Sequence, residues 1–264
     1  MKSNLLILML TALPLIGAPI WGCAERSQID AGAMEMPAVD IPETNYYEIR
    51  TPMGRMVIRL FDETPRHRDN FKRLVEEQAY DSTLFHRIID GFMIQGGDPN
   101  SLDDNPLDDG QGGPGYTIPP EFRPDLFHRR GALAAARQPD HVNPNRESSG
   151  SQFYIVDGTA YPDSILTLVK QQLRQQIPDP DFVFSDSARA IYTTEGGAPN
   201  LDGMYTVFGE LIEEFDVLDA IAATATARST GQRVRRELID RPFEPVWMIV
   251  RPLPDYEPPT PPEQ

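Results

Sequence analysis

Short apolar runs recurring between turn residues limit what this chain can fold into. Leu84–Ile89, Phe92–Gln95, Ala132–Ala136, Phe153–Val156, Tyr205–Leu211 and Val246–Val250 are each four to seven residues long, the length of strands. Two further runs precede them. Tyr46–Arg50 and Met53–Phe61 flank Gly54, and Met56, Ile58 and Leu60 alternate with Val57 and Arg59, which predicts a strand with one well-buried face. Many short strands with few helices predict a mainly β domain closed as an antiparallel barrel, not a parallel sheet. Two helices stand out against that rhythm. The first has Thr64 as a plausible cap, Pro65 at its first position and an apolar stripe of Phe71, Leu74 and Val75; the second covers Glu214–Ala223, with Val217, Leu218 and Ile221 on one side.

Residues 158–199 break the pattern. Asp163–Gln176 places Ile165, Leu168, Val169 and Leu173 at helical spacing, and Ile177–Pro180 ends that helix. Ser185 or Asp186 then caps a shorter helix carrying Ala188, Ile191 and Tyr192, stopped at Gly196-Gly197. The segment reads as a helical insertion in a loop of the barrel.

The two ends of the chain read as separate from the domain, which runs over residues 44–251. Residues 4–22 are apolar behind Lys2 and end at Gly22 before Cys23, the single cysteine of the chain. Pro14 and Pro19 interrupt the run, which makes it a poor spanning helix and a better signal-peptide core over residues 1–22. A lone cysteine at the end of such a core resembles the bacterial lipoprotein signal, with Cys23 as the lipidated residue, although Ile20 and Trp21 are larger than the residues usual there. Ordinary secretion or an uncleaved anchor is the alternative. The expected location is the periplasmic side of a bacterial cell envelope, with membrane contact through the lipid alone. Residues 23–43 read as a tether, and 252–264, with six prolines in thirteen residues, as an extended tail.

The formal net charge is −16, from 24 basic against 40 acidic residues. That argues against nucleic acid as a partner, because such binding depends on neutralising phosphates.

Phe85-His86-Arg87-Ile88-Ile89-Asp90-Gly91-Phe92-Met93-Ile94-Gln95-Gly96-Gly97-Asp98 is the most specific stretch. Four colinear blocks follow it: Gly112-Gly113-Pro114-Gly115-Tyr116 with Glu121-Phe122; Gly131 to Ala136; Ser149-Gly150-Ser151-Gln152-Phe153-Tyr154-Ile155; and Leu201-Asp202-Gly203 with Val207-Phe208-Gly209. Together they resemble the cyclophilin-type peptidyl-prolyl cis/trans isomerases over residues 45–251, the insertion apart. The resemblance implies an eight-stranded closed antiparallel barrel capped by two helices, and catalysis of X–Pro rotation in proline-containing segments of unfolded proteins without a cofactor or metal; with the signal-like N-terminus, the expected clients are exported proteins. By resemblance Arg87 is the catalytic cation. Phe92, Met93, Tyr154 and Leu201 form the proline pocket, with Tyr205 at its side. Gln95 and Gln152 orient Arg87 and the substrate carbonyl, and Ala136 and Arg137 present main chain to the bound peptide. Tyr154 replaces a phenylalanine frequent in the family, Arg137 an asparagine, Asn200 a tryptophan and Tyr205 a histidine.

Other chemistries fit less well. His86, Asp98 and Ser151 invite a hydrolase triad, but the serine lacks a nucleophile-elbow context. The acidic stretch from Asp98 to Asp109 does not have the spacing of an EF-hand loop. The main rival is a binding module that holds proline segments or unfolded chains without catalysis. Retention of Arg87, Phe92 and Gln95 favours the enzyme, because pure binding has no need of the arginine.

Overall fold

A computed structural model describes residues 43–177 and 179–258, so Cys23, the signal segment and all but the last residue of the tether lie outside the described residues. Strands β1 (Tyr46–Thr51) and β2 (Gly54–Leu60) form a hairpin, and helix α1 (Pro65–Glu76) follows. Next come β3 (Arg87–Ile89), β4 (Met93–Gly96), the two-residue β5 (Thr117–Ile118), β6 (Ala132–Ala135), the two-residue β7 (Ser148–Ser149) and β8 (Phe153–Val156). Helices α2 (Asp163–Gln176) and α3 (Asp186–Thr194) make the insertion. The chain ends with β9 (Val207–Glu213), α4 (Phe215–Ala222), the four-residue α5 (Ala227–Thr230) and β10 (Ile249–Pro252).

Eight strands make one antiparallel sheet in the order β10-β1-β2-β9-β6-β8-β4-β3, and β5 pairs with β7 apart from it. The sheet curls but does not close as a ladder, which corrects the closed barrel expected from sequence. The segments that lead into its two end strands meet through an isolated bridge, Leu84 with Trp247, supported by Phe85 N–H to Val246 C=O at 2.8 Å and Met248 N–H to Thr83 C=O at 2.9 Å. Pro242 and Pro245 lack N–H donors and stand just before this seam, so the run toward Val246 cannot extend the pairing backward.

Period-two alternation divides the sheet into two apolar faces. Ile94 of β4, Leu133 and Ala135 of β6, and Phe153 and Ile155 of β8 join the inner core with Phe71, Phe85, Phe208 and Leu218. Met93, Ala132, Ala134, Tyr154 and Val156 point the other way, into a second cluster with Ala136, Leu201 and Val207. Both faces of β6 and β8 are covered, which is why those runs are apolar throughout.

The insertion keeps its own core. Leu166, Val169 and Leu173 of α2 pack with Phe184, Ala188 and Tyr192 around Met204, each buried Leu, Val, Phe or Met contributing about 1.5–3 kcal/mol. Ser185 caps α3, its Oγ accepting from Ala188 N–H at 3.1 Å, which decides between Ser185 and Asp186. Thr64, in contrast, makes no cap bond with its side chain. The Glu121 carboxylate takes that place, accepting from Arg66 N–H at 3.2 Å and His67 N–H at 3.1 Å. The tail also begins later than expected. Pro252 pairs with Tyr47 in β10, and Tyr256 packs its ring on Tyr46 and donates to Glu213 at 2.6 Å.

Candidate active site

The outer sheet face carries the residues singled out in the sequence because cross-strand register aligns them. Arg87 lies opposite Gln95, Gln95 opposite Tyr154, and Tyr154 opposite Ala134, one lateral row across β3, β4, β8 and β6. Neighbouring strands are about 4.8 Å apart, so the row sets Arg87 two strands from Tyr154. The β3–β4 turn makes this possible. Phe92 N–H donates to Ile89 C=O at 3.0 Å with Gly91 at φ +70° between them, a conformation glycine adopts without strain. The Asp157 carboxylate, at the end of β8, accepts from Gly91 N–H at 2.7 Å and holds the turn to the next strand.

Arg87 is held at two points. Its Nη1 donates to Gln95 Oε1 at 3.0 Å, and its Nε lies 3.6 Å from Asp240 Oδ2. Asp240 sits beside Arg87 because its own C=O accepts from Ile88 N–H at 2.8 Å; its carboxylate also pairs with Arg228. Two points fix a planar guanidinium, and the side chain stays 42% exposed toward a cleft of about 1220 Å³. Gln95, Ala136, Arg137 and Gln152 line the same cleft.

Polarity runs one way along the attached amides. Arginine only donates, so Gln95 turns its oxygen to Arg87 and its Nε2 to Gln152 Oε1 at 3.1 Å. Gln152 Nε2 then donates to Gly112 C=O at 2.8 Å and lies 3.4 Å from Asp98 Oδ2. Asp98 anchors that end, accepting from the main-chain N–H groups of Asn100, Gly110 and Gly112. The carboxylate is thus spent on backbone. Among the described residues neither ring nitrogen of His86 nor the Ser151 hydroxyl has a hydrogen-bond partner, so His86, Asp98 and Ser151 are not joined as a triad. Burial, with Arg87 and Arg241 adding to it and Asp98 opposing, pushes His86 down to about 4, leaving a neutral ring behind Arg87.

Beside the arginine lies the apolar part. Met93, Tyr154, Leu201 and Ala136 pack together with Phe92 and Tyr205, and the Tyr205 ring meets Tyr154 edge-on at 6.0 Å. The Tyr154 hydroxyl is 3.0 Å from His128 Nε2, while His128 Nδ1 is 2.8 Å from Asp202 Oδ1. Asp202 as acceptor places the imidazole proton on Nδ1, so Nε2 accepts and Tyr154 donates to it. Burial pushes the Tyr154 phenol well above its ordinary range, so the proton stays. Tyr192 of α3 donates to the other Asp202 oxygen at 2.7 Å and ties the insertion to this floor.

Arg137 differs from what its side chain alone would indicate. Nε donates to Met204 C=O at 2.8 Å, the guanidinium lies 4.5 Å from the centre of the Tyr205 ring, and Nη1 pairs with Asp140 at 2.6 Å. That leaves the side chain 3% exposed. Among the described residues, Arg137 N–H and C=O have no main-chain partner and remain open to an added strand. Sequence reasoning did not find Asp240 or His128. Asp240 lies far along the chain from Arg87, and a single buried histidine has no pattern to mark it.

Residues 46–241 match the family model described as cyclophilin type peptidyl-prolyl cis-trans isomerase/CLD. A Staphylococcus haemolyticus protein with a peptidyl-prolyl cis-trans isomerase name is 37% identical over 180 residues, covering 67% of this chain and 79% of the relative. A Streptococcus pyogenes protein named as a bifunctional phosphatase/peptidyl-prolyl cis-trans isomerase is 40% identical over 185 residues, covering 67% of this chain but 34% of its own length. The crystal structure of a Cryptosporidium parvum cyclophilin type peptidyl-prolyl cis-trans isomerase, solved in the presence of the dipeptide Ala-Pro, has a like fold, with TM-score 0.53 and 24% identity over 78% of this chain and 96% of that one. From the extent of the family match and the level of identity to these relatives, the chain belongs to the cyclophilin-type peptidyl-prolyl cis-trans isomerase family.

Proposed function

We propose that the chain accelerates rotation about X–Pro peptide bonds, with Arg87 acting at the prolyl nitrogen and the face of Phe92, Met93, Tyr154, Leu201 and Tyr205 gripping the ring. The observation that carries this reading is the row that sets a guanidinium, held by Gln95 and Asp240, beside an apolar face of aromatic and aliphatic side chains. Peptide rotation faces a barrier of about 18–20 kcal/mol because the C–N bond has partial double-bond character. Midway through the rotation conjugation is lost and the prolyl nitrogen regains its lone pair. A donor fixed at that nitrogen binds the twisted state better than either planar one, which is the condition for catalysis. Nothing in the reaction breaks a covalent bond, so a buried neutral His86 and a spent Asp98 fit it as well as they misfit hydrolysis.

The arginine does not suffice alone. Turnover of about 10³ s⁻¹ corresponds to a barrier of roughly 13 kcal/mol. A charged hydrogen bond supplies about 1.5–3 kcal/mol of the difference. Burying a proline ring supplies on the order of 2 kcal/mol toward holding one side of the bond while the other turns. Gln152 supports this arrangement by holding Gln95, which orients Arg87, and the open main chain of Arg137 supports pairing with the peptide.

The test is exchange NMR on a short Ala-Pro peptide with the full chain at catalytic concentration. Cis/trans exchange should rise from its uncatalysed scale of tens of seconds or longer, and an unchanged rate refutes the assignment. We further propose that the clients are exported proteins, met at the bacterial envelope by a chain anchored through lipidated Cys23. The support is the apolar stretch of residues 4–22 that ends at this cysteine. Mass spectrometry of the chain from a bacterial host should show an acylated Cys23 at the N-terminus, and an unmodified cysteine contradicts it.

A further inference from the structure

We propose that helix α2 of the insertion is the outer wall of an extended peptide groove, which takes the substrate residues flanking the proline on the side of Leu201 and Tyr205. The proposal rests on the isomerase reading above and adds a subsite to it. A groove of about 680 Å³ runs from the proline face and shares Arg137, Leu201 and Tyr205 with it. The groove is also lined by α2, whose Gln172 and Gln176 are exposed on it, and by Asn200, next to Leu201 in the chain. The wall is rigidly placed. Leu166, Val169 and Leu173 anchor α2 in the insertion core, and Val169 and Leu173 also form part of the groove wall beside Gln172 and Gln176.

An ion network joins the two sides. Arg146 pairs with Asp140 through Nη2 at 2.8 Å and donates to the Gln176 C=O at the end of α2. Asp140 also accepts from Arg137 Nη1. The helix end, the loop after β6 and the rim arginine therefore form one linked unit, so groove width does not depend on α2 alone. The occupant follows from continuity and chemistry. A chain whose proline lies against Tyr154 and whose main chain pairs with Arg137 leaves the pocket along this groove. Side-chain amides each carry a donor and an acceptor, which match the main chain of an extended peptide better than they match a charged or apolar ligand.

The experiment uses the full chain and three fluorescent peptides: a minimal Ala-Pro peptide, and the same peptide extended by four residues on either flank. Kd and exchange rate are read in the same samples. Two added net hydrogen bonds correspond to on the order of 10-fold in Kd, so one of the two extensions should bind about that much tighter. Lys-bearing and Glu-bearing versions of that extension are then compared on Gln172→Glu/Gln176→Glu and on Leu168→Glu, which adds charge to an exposed position of α2 outside the groove. The double variant should shift the Lys-to-Glu preference by roughly 5-fold, on that flank alone, while Leu168→Glu leaves it within about 2-fold. Equal shifts in both variants, or none, overturn the groove. Accelerated exchange without flank dependence overturns the groove and keeps the isomerase; flank-dependent binding without acceleration does the reverse.

Discussion

Tyr154→Phe separates what the Tyr154 ring does from what its hydroxyl does. The ring forms the floor of the apolar face, while the hydroxyl donates to His128 Nε2 at 3.0 Å and is held there by Asp202 and Tyr192. Removing the oxygen leaves His128 Nε2 a buried acceptor without a partner, at a cost of about 1–3 kcal/mol. For a domain of this size each kcal/mol moves Tm by about 2–4 °C, so a mid-range loss lowers it by roughly 4–8 °C. The proline face keeps its shape, and kcat/KM on an Ala-Pro peptide should stay within about 2-fold of the parent. Calorimetry and exchange NMR on the same preparation give both numbers. A fall of 10-fold or more in kcat/KM with an unmoved Tm would show that the hydroxyl works inside the pocket, and the proton assignment from Asp202 through His128 would be wrong. Tyr192→Phe removes the far end of the same chain of bonds and should lower Tm in the same direction.

Asp240→Asn loosens the Nε side of Arg87 and leaves Gln95 in place. Since the arginine is partly exposed, kcat should fall on the order of 5-fold with KM little changed; a matching rise in KM would instead place Asp240 in substrate binding. Gly112→Ala sets a Cβ 2.1 Å from Asp98 Oδ1 and 2.5 Å from Asn100 Oδ1, so the anchor of Gln152 has to move. The side-chain amide resonances of Gln95 and Gln152 should shift and kcat/KM drop about 10-fold; unmoved resonances would mean that the amide chain does not depend on this turn. His86 makes stability depend on pH. Its pKa is pushed to about 4 in the fold from an ordinary value of 6.5, so between those limits the unfolded chain binds the extra proton and stability falls as pH falls. The loss is about 1.4 kcal/mol per pH unit, roughly 3 kcal/mol in all, absent above pH 6.5 and level below pH 4. Urea midpoints of the parent and His86→Gln, subtracted across pH 4–7, should show that slope, and parallel curves would contradict it.

The parts legible in the sequence were those with local causes. Short apolar runs located the strands of the main sheet within a residue or two at most ends, and the spacing of Ile165, Leu168, Val169 and Leu173, then of Ala188, Ile191 and Tyr192, marked the insertion helices. Leu166 is the buried residue where Ile165 and Leu168 were expected. Two-residue strands such as β5 and β7 carry no periodicity and escaped notice. Closure was misjudged because it depends on the chain on both sides of the Leu84–Trp247 bridge, where Pro242 and Pro245 withhold donors. The cap of α1 was assigned to Thr64 by adjacency, whereas Glu121 reaches it through space. At the site the signature brought Arg87, Phe92, Met93 and Gln95 together because one hairpin holds them. Asp240 and His128 act on that hairpin and on the pocket floor from distant segments, and no spacing rule joins them to it.

The role of Arg87 is tested most directly by exchange NMR on an Ala-Pro peptide with the full chain and with Arg87→Ala. Loss of one charged hydrogen bond at the prolyl nitrogen corresponds to about a 10- to 150-fold fall in kcat/KM. Tm and peptide Kd should change little, since the apolar face and the Arg137 main chain remain. Equal exchange rates for the two proteins, both folded, would contradict the assignment.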